Sequence, residues 1–452
     1  MSVTIVGAGL VGSLLSVLLR KKGYEVSLYE KRPDPRHHVL DGGRSINLVI
    51  TSRGIHGLKM AGLDTKIKQF AVPVYGRMMH SKTGELTYQP YGQENEFNLS
   101  ISRGELNRFL INEAEKAGTK IYFEHEIKNI RPESNEVSFS IGHSEVKANY
   151  DILFGADGAG SHTRRRLKDI YNFDEKTEWL SADYKELTLP LDADGKPQLK
   201  TDALHIWPRG GHMMMALANH NGSFTVTLYL PKTGSPVAFD KVVTPTDIEN
   251  LFKTEFPDAV PLMPELVKEF MNHPQGTLGT VRSSQWVFNN SIALIGDAAH
   301  AIVPFFGQGM NCGFEDCTEL IRLLDEAEND WVSALKEYEY SRKKNANAIA
   351  DMALENFVEM RDKVGDAQFL ARKKIEGALE KKYPGVYKSR YGMITYTLIP
   401  YSVAQKAGVV QNKLIDEIIS QNPSVENINW DKANQALEKT WLPFVKENNL
   451  LF

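Results

Sequence analysis

Three glycine-bearing segments, one acid at a strand end and a scatter of arginines, phenols and amides are the parts of this chain equipped for chemistry. The first segment is Gly7-Ala8-Gly9-Leu10-Val11-Gly12. It stands between an apolar run, Ser2 to Val6, and a helical pattern from Leu10 to Lys22 in which Leu14, Leu15, Leu18 and Leu19 recur at helical spacing. In such a turn Gly7 permits the bend, Gly9 lets a pyrophosphate approach the backbone, and Gly12 lets helix and strand pack closely. The anion then lies at the positive end of a helix that Leu10 and Val11 open, so both belong to the candidate cofactor set. Glu30 ends the next strand, 18 positions after Gly12, where a carboxylate accepts hydrogen bonds from an adenosine ribose. A chance glycine turn is the plain alternative; strand, helix and acid in order favour a dinucleotide. Two more segments, Gly155-Ala156-Asp157-Gly158 and Ile295-Gly296-Asp297-Ala298-Ala299-His300 running on to Gly309-Met310-Asn311, follow strands of their own.

Other side chains suit a ligand more than a reaction. Arg77 offers a planar, bidentate partner for a carboxylate. Taken alone, Arg77 reads more readily as a strand arginine facing solvent. Ile349, Met352, Asn356 and Met360 fall on one face of a helix, at steps of three and four. An amide in an apolar stripe must find a partner or destabilise the fold; that partner is either nearby backbone or a bound molecule. Met213-Met214-Met215 reads as core. Cys312 and Cys317 form no disulfide framework and lack the companions of a zinc site, so buried thiols in a reducing cytoplasm are expected and no metal is.

The elements that must position these residues follow from periodicity. Glu25 to Tyr29 completes a βαβ start, and Glu105 to Gly118 is a further helix. From about residue 180 to 287 short alternating strands succeed one another, separated by turns such as Pro208-Arg209-Gly210-Gly211. A buried strand returns at Ser291 to Ile295, and beyond Asn311 the pattern is helical almost to the end. The expected class is α/β: a discontinuous Rossmann-like domain (1–73, 103–179 and 288–330), an inserted mixed sheet (74–102 and 180–287) and a C-terminal helical region (331–452). With 42% hydrophobic and 24% charged residues and a net charge of -4, the chain reads as a soluble protein. That charge gives no case for nucleic acid or an anionic membrane. No signal peptide or membrane span is expected; Tyr391 to Val410, the nearest approach, is broken by Pro400, Gln405 and Lys406.

The three glycine segments, in this order, resemble the fingerprints of the flavoprotein aromatic hydroxylases related to p-hydroxybenzoate hydroxylase. The resemblance implies bound FAD, with Asp297 on the ribityl chain and the backbone of Gly309, Met310 and Asn311 near the pyrimidine end of the flavin. It places Arg44 beside the flavin, Arg103 near the phosphates and Asp157 next to the cofactor without catalytic duty. Only one complete dinucleotide fingerprint is present, which fits relatives that meet NADPH transiently.

Further segments, among them Gly76-Arg77-Met78-Met79-His80, Gln89-Pro90-Tyr91-Gly92, Glu355-Asn356-Phe357-Val358-Glu359-Met360 and Tyr391-Gly392-Met393, resemble the branch of that family whose substrate is L-kynurenine. On that resemblance Arg77, Tyr91, Asn356 and Tyr391 bind the amino acid, Leu217, Phe224, Phe305 and Met360 line the aryl pocket, and Gln308 meets the ring carbonyl or amine. The implied reaction is 3-hydroxylation with NADPH and O2 through a flavin C4a-hydroperoxide, without an obligatory protein base; Phe306 stands where relatives often carry His. Hydroxylation of another phenol or aniline is the alternative, and a flavin halogenase or reductase the more remote one. Eukaryotic relatives carry a C-terminal membrane anchor; none is expected here, and the oligomeric state is left open. The last fifty residues resemble nothing usable.

Overall fold

The computed structural model describes residues 1–37, 47–93, 95–363, 367–421 and 428–452. Arg44 lies outside the described residues. Ser2–Val6 pairs in parallel with Glu25–Tyr29 on one side and Ile152–Gly155 on the other. The full sheet runs Val287–Phe288, Ile292–Leu294, Ile152–Gly155, Ser2–Val6, Glu25–Tyr29, Lys120–Tyr122, and only its first pair is antiparallel. A parallel sheet needs cover on both faces. Leu10–Lys21 supplies part of it, packed between Arg103–Lys116 and Gly309–Glu326. A three-stranded antiparallel sheet from Glu126 to Asn149 adds more, with Phe139 stacked on Tyr29 at a centroid distance of 4.0 Å.

A seven-stranded sheet runs Gln275–Ser283, Glu175–Leu189, Phe224–Pro231, Met213–Ala218, Ala203–Pro208, Gly76–His80, Leu86–Pro90. All its pairs are antiparallel except Ala203–Pro208 with Gly76–His80, where the chain rejoins the sheet after a long excursion. Glu175–Leu189 crosses the expected boundary at residue 180. It is one continuous strand pairing with both neighbours, so the turn from one sheet to the other comes earlier.

Strand alternation gives the second sheet two different faces. Leu187, Trp207, Met214, Val226 and Leu228 pack under the helices Pro245–Glu255 and Leu266–Asn272. Met79, Leu204, Met213 and Tyr229 face the other way, towards Phe305, Phe357 and Met360. Helices dominate the remainder: Trp331–Val358, Ala367–Lys382, Arg390–Tyr396, Tyr401–Gln421 and Trp430–Ala436. Trp331–Val358 buries Ile349, Met352 and Asn356 on one side, and a π turn, Glu359–Lys363, continues it through Met360. Among the described residues no helix is long and apolar enough to cross a membrane.

Candidate active site

One continuous cavity of about 370 Å³ opens between the two sheets, and it joins most of the residues singled out above. Gly7, Gly9, Leu10, Val11, Glu30 and Asp157 line one part, Arg103, Asp297, Gly309 and Met310 another, and Arg77, Tyr91, Asn356 and Tyr391 a third.

The cofactor part is shaped by backbone. Gly7 has φ +109°, a conformation side chains rarely adopt, and its N–H donates to Tyr29 O at 2.7 Å. A Cβ on Gly12 would lie 2.0 Å from Gly7 O, so only glycine lets the helix approach the turn this closely. At Gly9, by contrast, a Cβ would meet nothing within 4 Å among the described residues: the turn leaves open space beside the helix N-terminus. Glu30 already accepts from the Ala8 and Arg32 N–H groups, at 2.9 and 3.0 Å, which orients its carboxylate at the rim. Asp157 is occupied as well. It accepts from Ser161 Oγ, and from Thr163 N and Oγ1 at 2.9 and 3.1 Å, and so braces the start of the helix His162–Tyr171.

Asp297 differs from both. Among the described residues no donor reaches its carboxylate; burial pushes its pKa up, while the charges of Arg103 and His300 oppose that rise. An acceptor held this way in a cavity suits the hydroxyls of a ribityl chain, and the open space at Gly9 suits a pyrophosphate. The residues present therefore fit FAD.

Beneath the Gly296–Asp297 turn lies a buried ion network. Asp316 accepts from Gly296 N at 3.0 Å, from His300 Nε2 at 2.6 Å and from Arg342 Nε at 2.7 Å. Arg342 also reaches Glu315, which in turn holds Arg53, at 2.7 and 2.8 Å. Burial disfavours the imidazolium of His300, but Asp316 outweighs it and holds the pKa well above the usual value. The donor atoms of His300, Cys312 and Asp316 lie within 4.8 Å of one another, a spacing a metal ion could use. Arg342 fills that role already: its guanidinium lies 3.4 Å from Cys312 Sγ and bonds Asp316, so the charges are paired.

Asn311 anchors the start of Gly309–Glu326. Its amide donates to Val49 O and Gly307 O at 2.7 and 2.8 Å and accepts from Thr51 N at 2.9 Å. The side chain is thereby consumed in structure, and only its backbone is left for a ligand.

The third part is built from side chains. Tyr91 and Tyr391 stack at 5.5 Å, with the Arg77 guanidinium 5.4 and 5.7 Å from their rings. Burial works against the charge of Arg77, yet Tyr91, Tyr391 and Glu359 together hold its pKa above the usual arginine value. Arg77 Nε is buried and has no partner among the described residues. Burial also raises the pKa values of Tyr91 and Tyr391, so both phenols stay protonated donors. Asn356 donates to Phe305 O at 2.7 Å and to Met360 Sδ at 3.4 Å. Backbone is thus one partner of this amide, leaving its oxygen for a ligand. Leu217, Phe305 and Met360 line the cavity.

Two of the residues expected around the substrate do not line the cavity. Phe224 is fully buried on the opposite face of its strand, edge-on to His205 at 5.7 Å. Its alternate neighbours Thr225, Thr227 and Tyr229 line the cavity instead, because successive side chains of a strand point to opposite faces. Gln308 does not line the cavity either. It is fully buried, and its Oε1 accepts from Tyr401 Oη at 2.8 Å across to the helix Tyr401–Gln421. Asn98, Met215 and Tyr229 line the cavity too, and none of them is among the residues expected from the sequence. Strand parity, extended from Leu217 to Met215, would have found one of them.

Comparison with known proteins bears on this arrangement. A family model described as "FAD binding domain" matches residues 1–353. The chain is 43% identical over 452 residues to kynurenine 3-monooxygenase of Myxococcus xanthus, covering 99% of this chain and 97% of that protein. It is 44% identical over 423 residues to the enzyme of the same name from Cytophaga hutchinsonii, covering 92% and 94%. Among solved structures it resembles a tetrameric form of 2-methyl-3-hydroxypyridine-5-carboxylic acid oxygenase (TM-score 0.66, 19% identity, 82% and 95% covered). It likewise resembles PqsL of P. aeruginosa in complex with 2-aminobenzoylacetate (TM-score 0.66, 19% identity, 82% and 99% covered). At that identity the two structures speak for the fold alone.

Proposed function

The chain belongs to the kynurenine 3-monooxygenase family of FAD-binding proteins, and from that premise we propose that its cavity hydroxylates L-kynurenine to 3-hydroxy-L-kynurenine with NADPH and O2. The observation that carries the reading is the unpartnered Arg77 Nε beside two stacked, protonated phenols, on the same cavity as the glycine turn and Asp297. A buried cation with two neutral donors recognises a carboxylate.

FAD, when bound and reduced by NADPH, would supply the activation of O2, which an aromatic ring does not react with unaided. The protein's own residues do the rest. Gly7, Gly9 and the start of Leu10–Lys21 receive the pyrophosphate, Glu30 the adenosine ribose, Arg103 the phosphate charge and Asp297 the ribityl hydroxyls. The N-terminus of Gly309–Glu326 places positive helix-end charge beside the flavin, where reduction adds negative charge.

Arg77, Tyr91 and Tyr391 hold the substrate carboxylate, and Asn356 offers its amide oxygen to the amino acid. Leu217, Phe305 and Met360 flank the aryl ring and exclude water, which protects a reactive oxygen from wasteful discharge. No side chain is assigned as acid or base: at the position expected to matter, Phe306 stacks on Tyr391 at 5.8 Å. A cytoplasmic location accompanies this reading, supported by two buried free thiols.

The test is NADPH oxidation by the purified yellow protein with and without L-kynurenine, together with the yield of 3-hydroxykynurenine. Stimulation with matching hydroxylated product supports the reading. Stimulation by another aromatic but not by kynurenine overturns it.

A further inference from the structure

The residues described so far receive a carboxylate and an aryl ring, with the Asn356 oxygen as one further acceptor. An amino acid also carries an α-ammonium, one carbon away from its carboxylate, and a charge taken out of water must be given an acceptor. We propose that Asn98, on the strand Asn98–Ser102, is the specificity-determining acceptor for that ammonium. The inference rests on the kynurenine reading above and deepens it.

Three observations meet at this residue. Asn98 lines the same cavity as Arg77, Tyr91 and Tyr391. It is only 3% exposed, and its Oδ1 is buried without any hydrogen-bond partner among the described residues. Its other amide atom is engaged: Nδ2 donates to Tyr391 Oη at 3.2 Å. A buried amide oxygen left unpaired costs free energy that a native fold seldom leaves uncompensated, and a ligand N–H is one way to recover it.

The direction of the existing bond matters as well. Because Nδ2 donates to the phenol oxygen, the Tyr391 proton is free to point at the substrate carboxylate. The amide orientation that places Tyr391 as a donor to the acid is the same one that leaves Oδ1 as an acceptor for the amine. One side chain thus reads both charges of the zwitterion, the carboxylate through Tyr391 and the ammonium directly. An acid that lacks the amine gains nothing from Asn98 Oδ1.

The experiment compares two ligands on the oxidised, FAD-loaded enzyme without NADPH, following the flavin spectrum as each is titrated. One is L-kynurenine. The other is 4-(2-aminophenyl)-4-oxobutanoate, which keeps the aryl amine, ketone and carboxylate and lacks only the α-amine. In Asn98→Leu, of nearly the same size, kynurenine affinity falls about tenfold or more, the range for a lost hydrogen bond to a charged group. Affinity for the des-amino acid changes less than about threefold, the part carried through Tyr391. Asn98→Ala, which adds no bulk, gives the same ratio and serves if the leucine variant does not fold.

Equal losses for the two ligands would make Asn98 a prop for Tyr391 and overturn the proposal. If the wild-type enzyme binds neither ligand, the kynurenine reading falls and this inference falls with it. If it binds both with the same affinity while hydroxylating kynurenine, the reading stands and the inference alone fails.

Discussion

The two ends of the cavity are made in different ways. The cofactor end is backbone held at close quarters: Gly7 at positive φ, Gly12 against Gly7 O, and the Gly296–Asp297 turn bonded to Asp316. The substrate end is side chain, drawn from strands near residues 77, 91 and 217 and from segments near 305, 356 and 391. A backbone site tolerates little change at a few positions, since steric overlap admits no partial solution. A side-chain site spreads recognition over many positions, each worth a hydrogen bond or a contact. Substitutions should therefore act on cofactor retention at one end and on KM at the other.

The largest effect is expected from Gly12→Ala. A methyl group 2.0 Å from Gly7 O cannot be accommodated without parting helix and turn. The purified variant should carry no bound flavin by absorbance; a full complement of FAD would show that the approach is not what shapes the site. Next is Arg77→Ala, which should raise the KM for kynurenine roughly thirtyfold or more, as the loss of charged hydrogen bonds implies, while flavin content stays at the wild-type level. Unchanged kinetics would remove Arg77 from the site and with it the contrast between the ends.

A smaller effect concerns the ion network that braces the cofactor end. The folded pKa of His300 is raised above its unfolded value of about 6.5. Its contribution is therefore fully present below that pH and declines as pH rises towards the folded value. Asp316, whose folded pKa is lowered, contributes above its unfolded pKa of about 3.9 and loses that only in acid. Above pH 6 the unfolding free energy should thus fall with rising pH because of His300. In His300→Gln the urea midpoint should be lower at pH 6 and flatter with pH. An equally steep decline in the variant would assign the dependence to other groups.

The smallest effect separates the two faces of the seven-stranded sheet. Phe224→Leu should cost about 1–2 kcal/mol of stability, as a modest core truncation does, and leave the KM within twofold. A raised KM with unchanged stability would put Phe224 back in the pocket.

Much of this was legible in the linear chain because local physics dictates it. A glycine at positive φ, a helix starting beside it and an acid ending the next strand lie within thirty residues of one another, and their spacing alone defines a dinucleotide turn. The helical stripe of Ile349, Met352 and Asn356 was equally readable, since its period is intrinsic to the helix. The strand Phe224–Pro231 was not. It is apolar on one face and mixed on the other, and period two reports alternation without saying which set faces a ligand. The resemblance puts Phe224 in the aryl pocket, while Thr225, Thr227 and Tyr229 line the cavity.

Gln308 teaches the same lesson over a longer range. Tyr401, its partner, is 93 residues away, and nothing near Gln308 announces that it will turn towards a C-terminal helix. Asn98 and Tyr391 are 293 residues apart. By itself, then, the sequence determined the fold class, the cofactor turn and the periodic faces, because these depend on neighbours along the chain. Which polar atoms end up paired and which stay open to a ligand was decided only in the tertiary structure, because hydrogen-bond partners come from wherever packing brings them.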